Sequence, residues 1–211
     1  MPFFSGATGQ VHYRRWPLAG GGHPRAGLVF LHGMGQHTGH YHRFAAGLAD
    51  HDIEMWGIDQ AGHGLSEGTP GTPGALTDLA DDAARLTGLA VDDRPGLPLV
   101  VMGHSLGAAV AITLLRRELA PFRAAVLCGT PKSVAGHSET SDFTDPGFPV
   151  LAVHGVDDRL APIDGVRGWS AGAAGLELRE YADAGHDLLH EKIHRAVTDD
   201  VAEFVLGATV G

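Results

Sequence analysis

The apolar stretch Leu97–Met102 runs directly into Gly103-His104-Ser105-Leu106-Gly107, and an Ala/Leu-rich segment follows without a break. No other feature constrains the fold as much. The stretch reads as a buried strand and Leu106–Leu119 as a helix, so the turn between them has almost no length. Such a turn lifts its central residue above the sheet, and flanking glycines remove side chains that would strike the strand and the helix. A strand feeding a helix in this way belongs to a mostly parallel sheet with helices on its faces.

The rest of the chain repeats the alternation. Strands are expected at Phe3–Ala7, Gln10–Trp16, Gly27–Leu31, His51–Ile58, Arg123–Cys128, Pro149–Val153 and Leu176–Tyr181, making about eight in all. Helices are expected over His40–Asp50, Leu76–Val91 and around Leu188–Leu206, and Leu76, Leu79, Ala80, Ala83 and Leu86 recur at helical spacing. A length of 211 residues suits one domain spanning 1–211, and 44% hydrophobic residues can fill its core. Pro131–Phe148 stands apart: rich in Ser, Thr, Asp, Gly and Pro, it has neither period and reads as an irregular insert.

Charge and composition exclude several classes. Fifteen Lys and Arg against 25 Asp and Glu give a net charge of −10 with no basic stripe, which argues against a nucleic-acid partner. The start, Met1-Pro2-Phe3-Phe4-Ser5-Gly6, has no basic and apolar leader pattern, and no apolar run reaches membrane-spanning length. The single cysteine, Cys128, lies in an apolar strand and reads as a core residue in a reducing compartment. The expected location is cytoplasmic.

Gly103-His104-Ser105-Leu106-Gly107 fits the G-x-S-x-G elbow, which raises a serine hydroxyl above a sheet as a nucleophile. A serine needs a base to take its proton. On such a sheet the acid and then the histidine follow the serine in the chain, each in a loop after a later strand. Pro149–Val153 leads into His154-Gly155-Val156-Asp157-Asp158, and the strand ending at Tyr181 leads into Ala182-Asp183-Ala184-Gly185-His186. His186 is therefore the expected base, and Asp157 or Asp158 the acid that orients it. The negative charge developing on the substrate oxygen needs two backbone N–H donors. Leu106, at a helix N-terminus, is one expected donor, and Met34, in the Gly-rich loop after Gly27–Leu31, is the other.

Several segments together resemble one family. Phe30-Leu31-His32-Gly33-Met34-Gly35-Gln36-His37 with His40-Tyr41, Asp59-Gln60-Ala61-Gly62-His63-Gly64-Leu65-Ser66, the elbow, Gly155–Pro162 and Ala184-Gly185-His186 are similar, in order, to motifs of the monoacylglycerol lipase and lysophospholipase branch of the α/β-hydrolase superfamily. The resemblance implies an α/β-hydrolase fold, a Ser105–Asp158–His186 triad and a small-molecule ester substrate such as a monoacylglycerol or lysophospholipid. It implies no cofactor. Its acid-loop pattern places the carboxylate on Asp158. Gln36 stands where the branch has Glu, and Ala61 where it has Arg. Pro131–Phe148 stands where the branch inserts a substantial cap, so a minimal lid and an open, shallow site for short or exposed esters are expected. The same triad could also serve acyl transfer or perhydrolysis. A non-enzymatic binding scaffold is disfavoured because such scaffolds often lose a triad member.

Other residues carry blander readings. His186-Asp187-Leu188-Leu189-His190, with His194, loosely resembles H-E-x-x-H, but has Asp where the zinc motif has Glu and places His186 in a loop; no metal is expected. His32, His37, His40 and His42 read as loop-rim packing, and His63 and His104 as supports beside the site. Asp78, Asp81 and Asp82 read as a solvated helix face, and Asp92-Asp93 as a loop.

Overall fold

A computed structural model of the chain describes residues 1–116, 121–131 and 147–210. Eight strands form one sheet: β1 (Phe3–Ser5), β2 (Gln10–Trp16), β3 (Ala26–Leu31), β4 (Ile53–Ile58), β5 (Leu99–His104), β6 (Phe122–Cys128), β7 (Val150–Gly155) and β8 (Leu176–Tyr181). Their order is β1-β2-β4-β3-β5-β6-β7-β8. β1 pairs antiparallel with β2, and β2 with β4; every pairing from β4 to β8 is parallel. Among the described residues the helices are α1 (His42–Ala49), α2 (Leu76–Asp93), α3 (Leu106–Leu115), α4 (Ile163–Gly172) and α5 (His194–Thr209).

The strands that read as continuous apolar runs are buried on both faces. In β3, Val29 and Leu31 join one core with α2, α3 and α4, while Leu28 and Phe30 join a second core with α1 and α5. In β5, Leu99 and Val101 face the first core, and Val100 and Met102 the second. Two-sided burial explains why these strands lack polar alternation. Parallel pairing gathers the carboxyl ends of β3 to β8 at one edge of the sheet, which is where open α/β sheets place their sites.

Four expectations change. The helix expected from Leu188 begins at His194 instead. Leu188 and Leu189 are buried, but they sit together in a turn that precedes the helix and is held by Glu191, whose carboxylate accepts the Gly185 N–H at 2.8 Å and the Asp187 N–H at 3.1 Å. α4 was not expected: Ile163, Val166 and Trp169 are its buried stripe, but Gly165 and Gly168 dilute the helical signal. Asp82 is buried, not solvated, and accepts the Ala7 N–H at 2.7 Å; burial raises its pKa. Asp92 and Asp93 belong to the last turn of α2, where Asp93 accepts from the Trp56 indole at 3.0 Å. The end of the expected Leu106–Leu119 helix and residues 132–146 of the Pro131–Phe148 insert lie outside the described residues.

Candidate active site

Ser105 has φ 51° and ψ −114°, a backbone conformation that costs an L-residue about 1–3 kcal/mol and survives only where its surroundings enforce it. The surroundings here are specific. The Ser105 N–H donates to the Cys128 carbonyl of β6 at 2.9 Å, and its own carbonyl accepts from Ala108 at 2.9 Å as α3 begins. A Cβ on Gly103 would lie 2.1 Å from the Gly107 carbonyl oxygen, and a Cβ on Gly107 would lie 2.0 Å from that of Leu31. Both distances are below any tolerable contact, so both flanking glycines are required. The Ser105 hydroxyl does not cap its own helix. It instead lies 2.9 Å from His186 Nε2.

His186 is in the loop after β8, and its Nδ1 lies 2.7 Å from Asp158 Oδ2. Asp158 is 5% exposed, so its charge must be met by donors. Oδ1 accepts the backbone N–H groups of Leu160 at 2.9 Å and Ala161 at 2.8 Å. His154, at the end of β7, lies beneath: its Nε2 is 2.7 Å from the Ala161 carbonyl and 3.2 Å from Asp158 Oδ2. Burial lowers the pKa of His154, and its buried Nδ1 has no hydrogen-bond partner, so the neutral ring with its proton on Nε2 leaves no buried N–H unpaired. Asp157 is exposed, and its backbone N–H donates to Ala184 at 2.9 Å, which ties the acid loop to the histidine loop. The structure thus brings Ser105, His186 and Asp158 together and turns Asp157 away.

A cavity of about 270 Å³ opens over the serine, lined by Gly33, Met34, Gln36, His104, Ser105, Leu160, His186 and Asp187. Met34 is half exposed on its rim, in the loop after β3. Leu106 opens α3, where the first N–H groups have no partner within the helix, and its side chain packs against the core.

Around this centre lies a polar support that sequence reasoning assigned only in part. Gln36 Oε1 accepts the Gly33 N–H at 3.0 Å and the Tyr41 hydroxyl, and Gln36 Nε2 donates to Asp187 Oδ1 at 3.1 Å. His104 is buried with Nε2 2.9 Å from the His186 carbonyl and Nδ1 3.0 Å from Gln36 Oε1; burial lowers its pKa to about 4. His32, likewise lowered to about 4 by burial, places Nδ1 2.8 Å from the Gly33 carbonyl and accepts the Gln60 N–H at Nε2, 2.9 Å away. Asp59 accepts the Thr38 N–H at 2.7 Å and the Leu65 N–H at 3.0 Å and lies 2.9 Å from His12 Nδ1, pinning the β3 and β4 loops together. Burial works against the charge of Asp59, but these bonds outweigh it and lower the pKa. His186 and His190 do not converge: His190 bonds Asp187 and the His40 carbonyl. Three pairings were unsignalled in the sequence: Asp187 meets Gln36 only through tertiary contact, while Asp187–His190 and His154–Asp158 are local, three and four residues apart, in loops without a regular period.

The chain matches the family described as Serine aminopeptidase, S33, over residues 22–144. It is 34% identical to a monoacylglycerol lipase of Mycolicibacterium smegmatis over 140 residues, covering 66% of this chain and 47% of that protein. It is 30% identical to a human monoglyceride lipase over 165 residues, covering 78% of this chain and 54% of that protein. The chain therefore spans about half the length of the curated relatives it matches. Among solved structures it is similar to a thermostable carboxyl esterase of Bacillus coagulans, with a TM-score of 0.83 at 14% identity over 99% of this chain and 98% of that one. A soluble variant of monoglyceride lipase from Saccharomyces cerevisiae gives a TM-score of 0.81 at 16% identity over 100% and 96%. These likenesses show an α/β-hydrolase fold. With more than half of its residues matched, the chain belongs to the serine aminopeptidase S33 family.

Proposed function

We propose that the chain hydrolyses carboxylic esters through Ser105, with His186 as base and Asp158 as its orienting acid. The observation that carries this reading is the unbroken run of hydrogen bonds, 2.9 Å from Ser105 Oγ to His186 Nε2 and 2.7 Å from His186 Nδ1 to Asp158 Oδ2. In the acylation step the hydroxyl oxygen bonds to the ester carbonyl carbon as its proton passes to Nε2. The carbonyl oxygen gains negative charge and accepts hydrogen bonds donated by the Met34 and Leu106 N–H groups. The tetrahedral centre then expels the alcohol, which takes the proton from Nε2 and leaves an acyl-serine. Water repeats the sequence and releases the acid. Asp158 holds the imidazole with Nδ1–H toward itself and stabilises the imidazolium.

The relatives and the cavity support a substrate class. Names of the matched relatives point to monoacylglycerols. The cavity, about 270 Å³, falls below the ~300–1,000 Å³ usual for small-molecule sites, which supports short or exposed acyl groups as preferred substrates. A buried free thiol at Cys128 supports a reducing, cytoplasmic setting. Among the described residues no helix is long and apolar enough to cross a membrane. A p-nitrophenyl ester series tests the reading. Short-chain esters are expected to turn over fastest, and Ser105→Ala to lower kcat about 10⁴-fold or more. Turnover that survives Ser105→Ala refutes the role of the serine. Adding an alcohol or peroxide and analysing the products separates hydrolysis from acyl transfer and perhydrolysis.

A further inference from the structure

His190 stands outside the proposed triad, between two groups that only accept hydrogen bonds. Its Nδ1 lies 2.8 Å from Asp187 Oδ1 and its Nε2 3.1 Å from the His40 carbonyl oxygen. A neutral imidazole has one N–H and can make only one of these bonds; an imidazolium makes both. His104 also has an acceptor at each nitrogen, but it is buried without a carboxylate and stays neutral, so only one of its contacts is a hydrogen bond. His190 has the carboxylate, and its side chain is 28% exposed.

The pair is joined to the reacting centre. Asp187 Oδ1 also takes the Gln36 Nε2–H at 3.1 Å, and Gln36 Oε1 takes the N–H of Gly33, the residue before Met34. One carboxylate oxygen thus links the histidine loop to the loop that carries the proposed oxyanion donor. The Nε2 bond anchors the assembly to the turn before α1.

We infer that His190, held as an imidazolium, is a positioning residue: through Asp187 and Gln36 it fixes the Gly33–Met34 loop against the His186 loop, and losing its proton loosens this brace and slows attack by Ser105. The inference rests on the reading of Ser105 and Met34 proposed above. Groups facing His190 are Asp187 from its own loop, His40 and Tyr41 from the turn before α1, Arg43 from α1, and His104 from the end of β5. Arg43 opposes the charge and Asp187 favours it. The Asp187 hydrogen bond is the largest influence and raises the pKa above the ordinary histidine value, against burial. Burial alone would raise the Asp187 pKa, but the bonds from His190 and Gln36 bring it below the ordinary value. The brace is therefore present below the raised His190 pKa and is lost as pH rises through it.

Two readouts test this. In ¹⁵N–¹H NMR, assigned with His190→Gln, the wild-type His190 ring is expected to carry both N–H groups at pH 7 and to titrate above 6.5. The second readout is the rate of Ser105 phosphonylation by a fluorophosphonate, which needs the same base and oxyanion donors but no ester turnover. The wild-type rate is expected to fall about tenfold on the alkaline side, and His190→Gln to hold a flat, reduced rate there. A singly protonated His190 at pH 7, a wild-type profile with no alkaline fall, or a fall that persists in His190→Gln overturns the inference. An unreactive Ser105 beside a doubly protonated His190 overturns the functional reading and the positioning role, leaving only the ion pair.

Discussion

Asp157 and Asp158 are adjacent carboxylates, and their surroundings give them different work. Asp158 is buried, with two backbone N–H groups on one oxygen and His186 on the other, whereas Asp157 is in solvent. Removing the charge of Asp158 leaves the His186 tautomer uncontrolled, so Asp158→Asn is expected to lower kcat about 10⁴-fold. Asp157→Asn is expected to stay within about threefold of wild type, because surface changes away from specific contacts have small effects. Steady-state kinetics on one short ester checks both. At this scale the sequence was informative only where a motif spans consecutive residues. Ser105 and His186 could be named from the loops they occupy. Asp187 could not, because its bond to Gln36 joins loops that follow separate strands, and His154 could not, because the fold-back of the loop that sets it under Asp158, only four residues on, has no periodic signal.

The strand–turn–helix of β5 and α3 is the element on which the site depends. Its turn was legible because glycine at 103 and 107 is demanded by backbone atoms of α3 and β3, and that demand is written in the local sequence. A Cβ at Gly107 would press on the Leu31 carbonyl, where neither strand nor helix can give way. Gly107→Ala is expected to destabilise the fold by at least about 2 kcal/mol, measured by chemical denaturation, and to lower activity by displacing Ser105. α4 and the start of α5 were less legible for a related reason. Glycines inside α4 weaken its helical pattern, while Leu188 and Leu189 mimic one in a segment whose conformation is set by the Glu191 carboxylate.

Across the molecule, the alternation of short apolar runs with amphipathic segments was enough to indicate an eight-stranded sheet with helices on both faces. It did not indicate the buried carboxylate whose ion pairs fasten the opposite edge of the sheet. Glu54, fully buried in β4, accepts from Arg94 at 2.8 and 3.0 Å, from Arg15 at 2.9 Å and from the Leu18 N–H at 3.2 Å. Burial works to raise its pKa, but the two guanidiniums and the N–H outweigh burial and lower it. A lowered folded pKa means stability that is present above the unfolded glutamate value, ~4.3, and lost as pH falls through the folded one. Glu54→Gln is expected to have a lower Tm than wild type at pH 7 by several degrees, with the gap narrowing toward pH 3. Thermal scans across that range check it, and a gap that widens on acidification would contradict the assignment.

The central claim is that Ser105, raised on its strained turn, is the nucleophile. Intact-mass spectrometry after treatment with a fluorophosphonate tests it most directly. The account predicts one phosphonyl adduct on the wild-type chain, mapped to Ser105 by peptide analysis, and none on Ser105→Ala; a full adduct on the alanine variant, or none on the wild type, would contradict it.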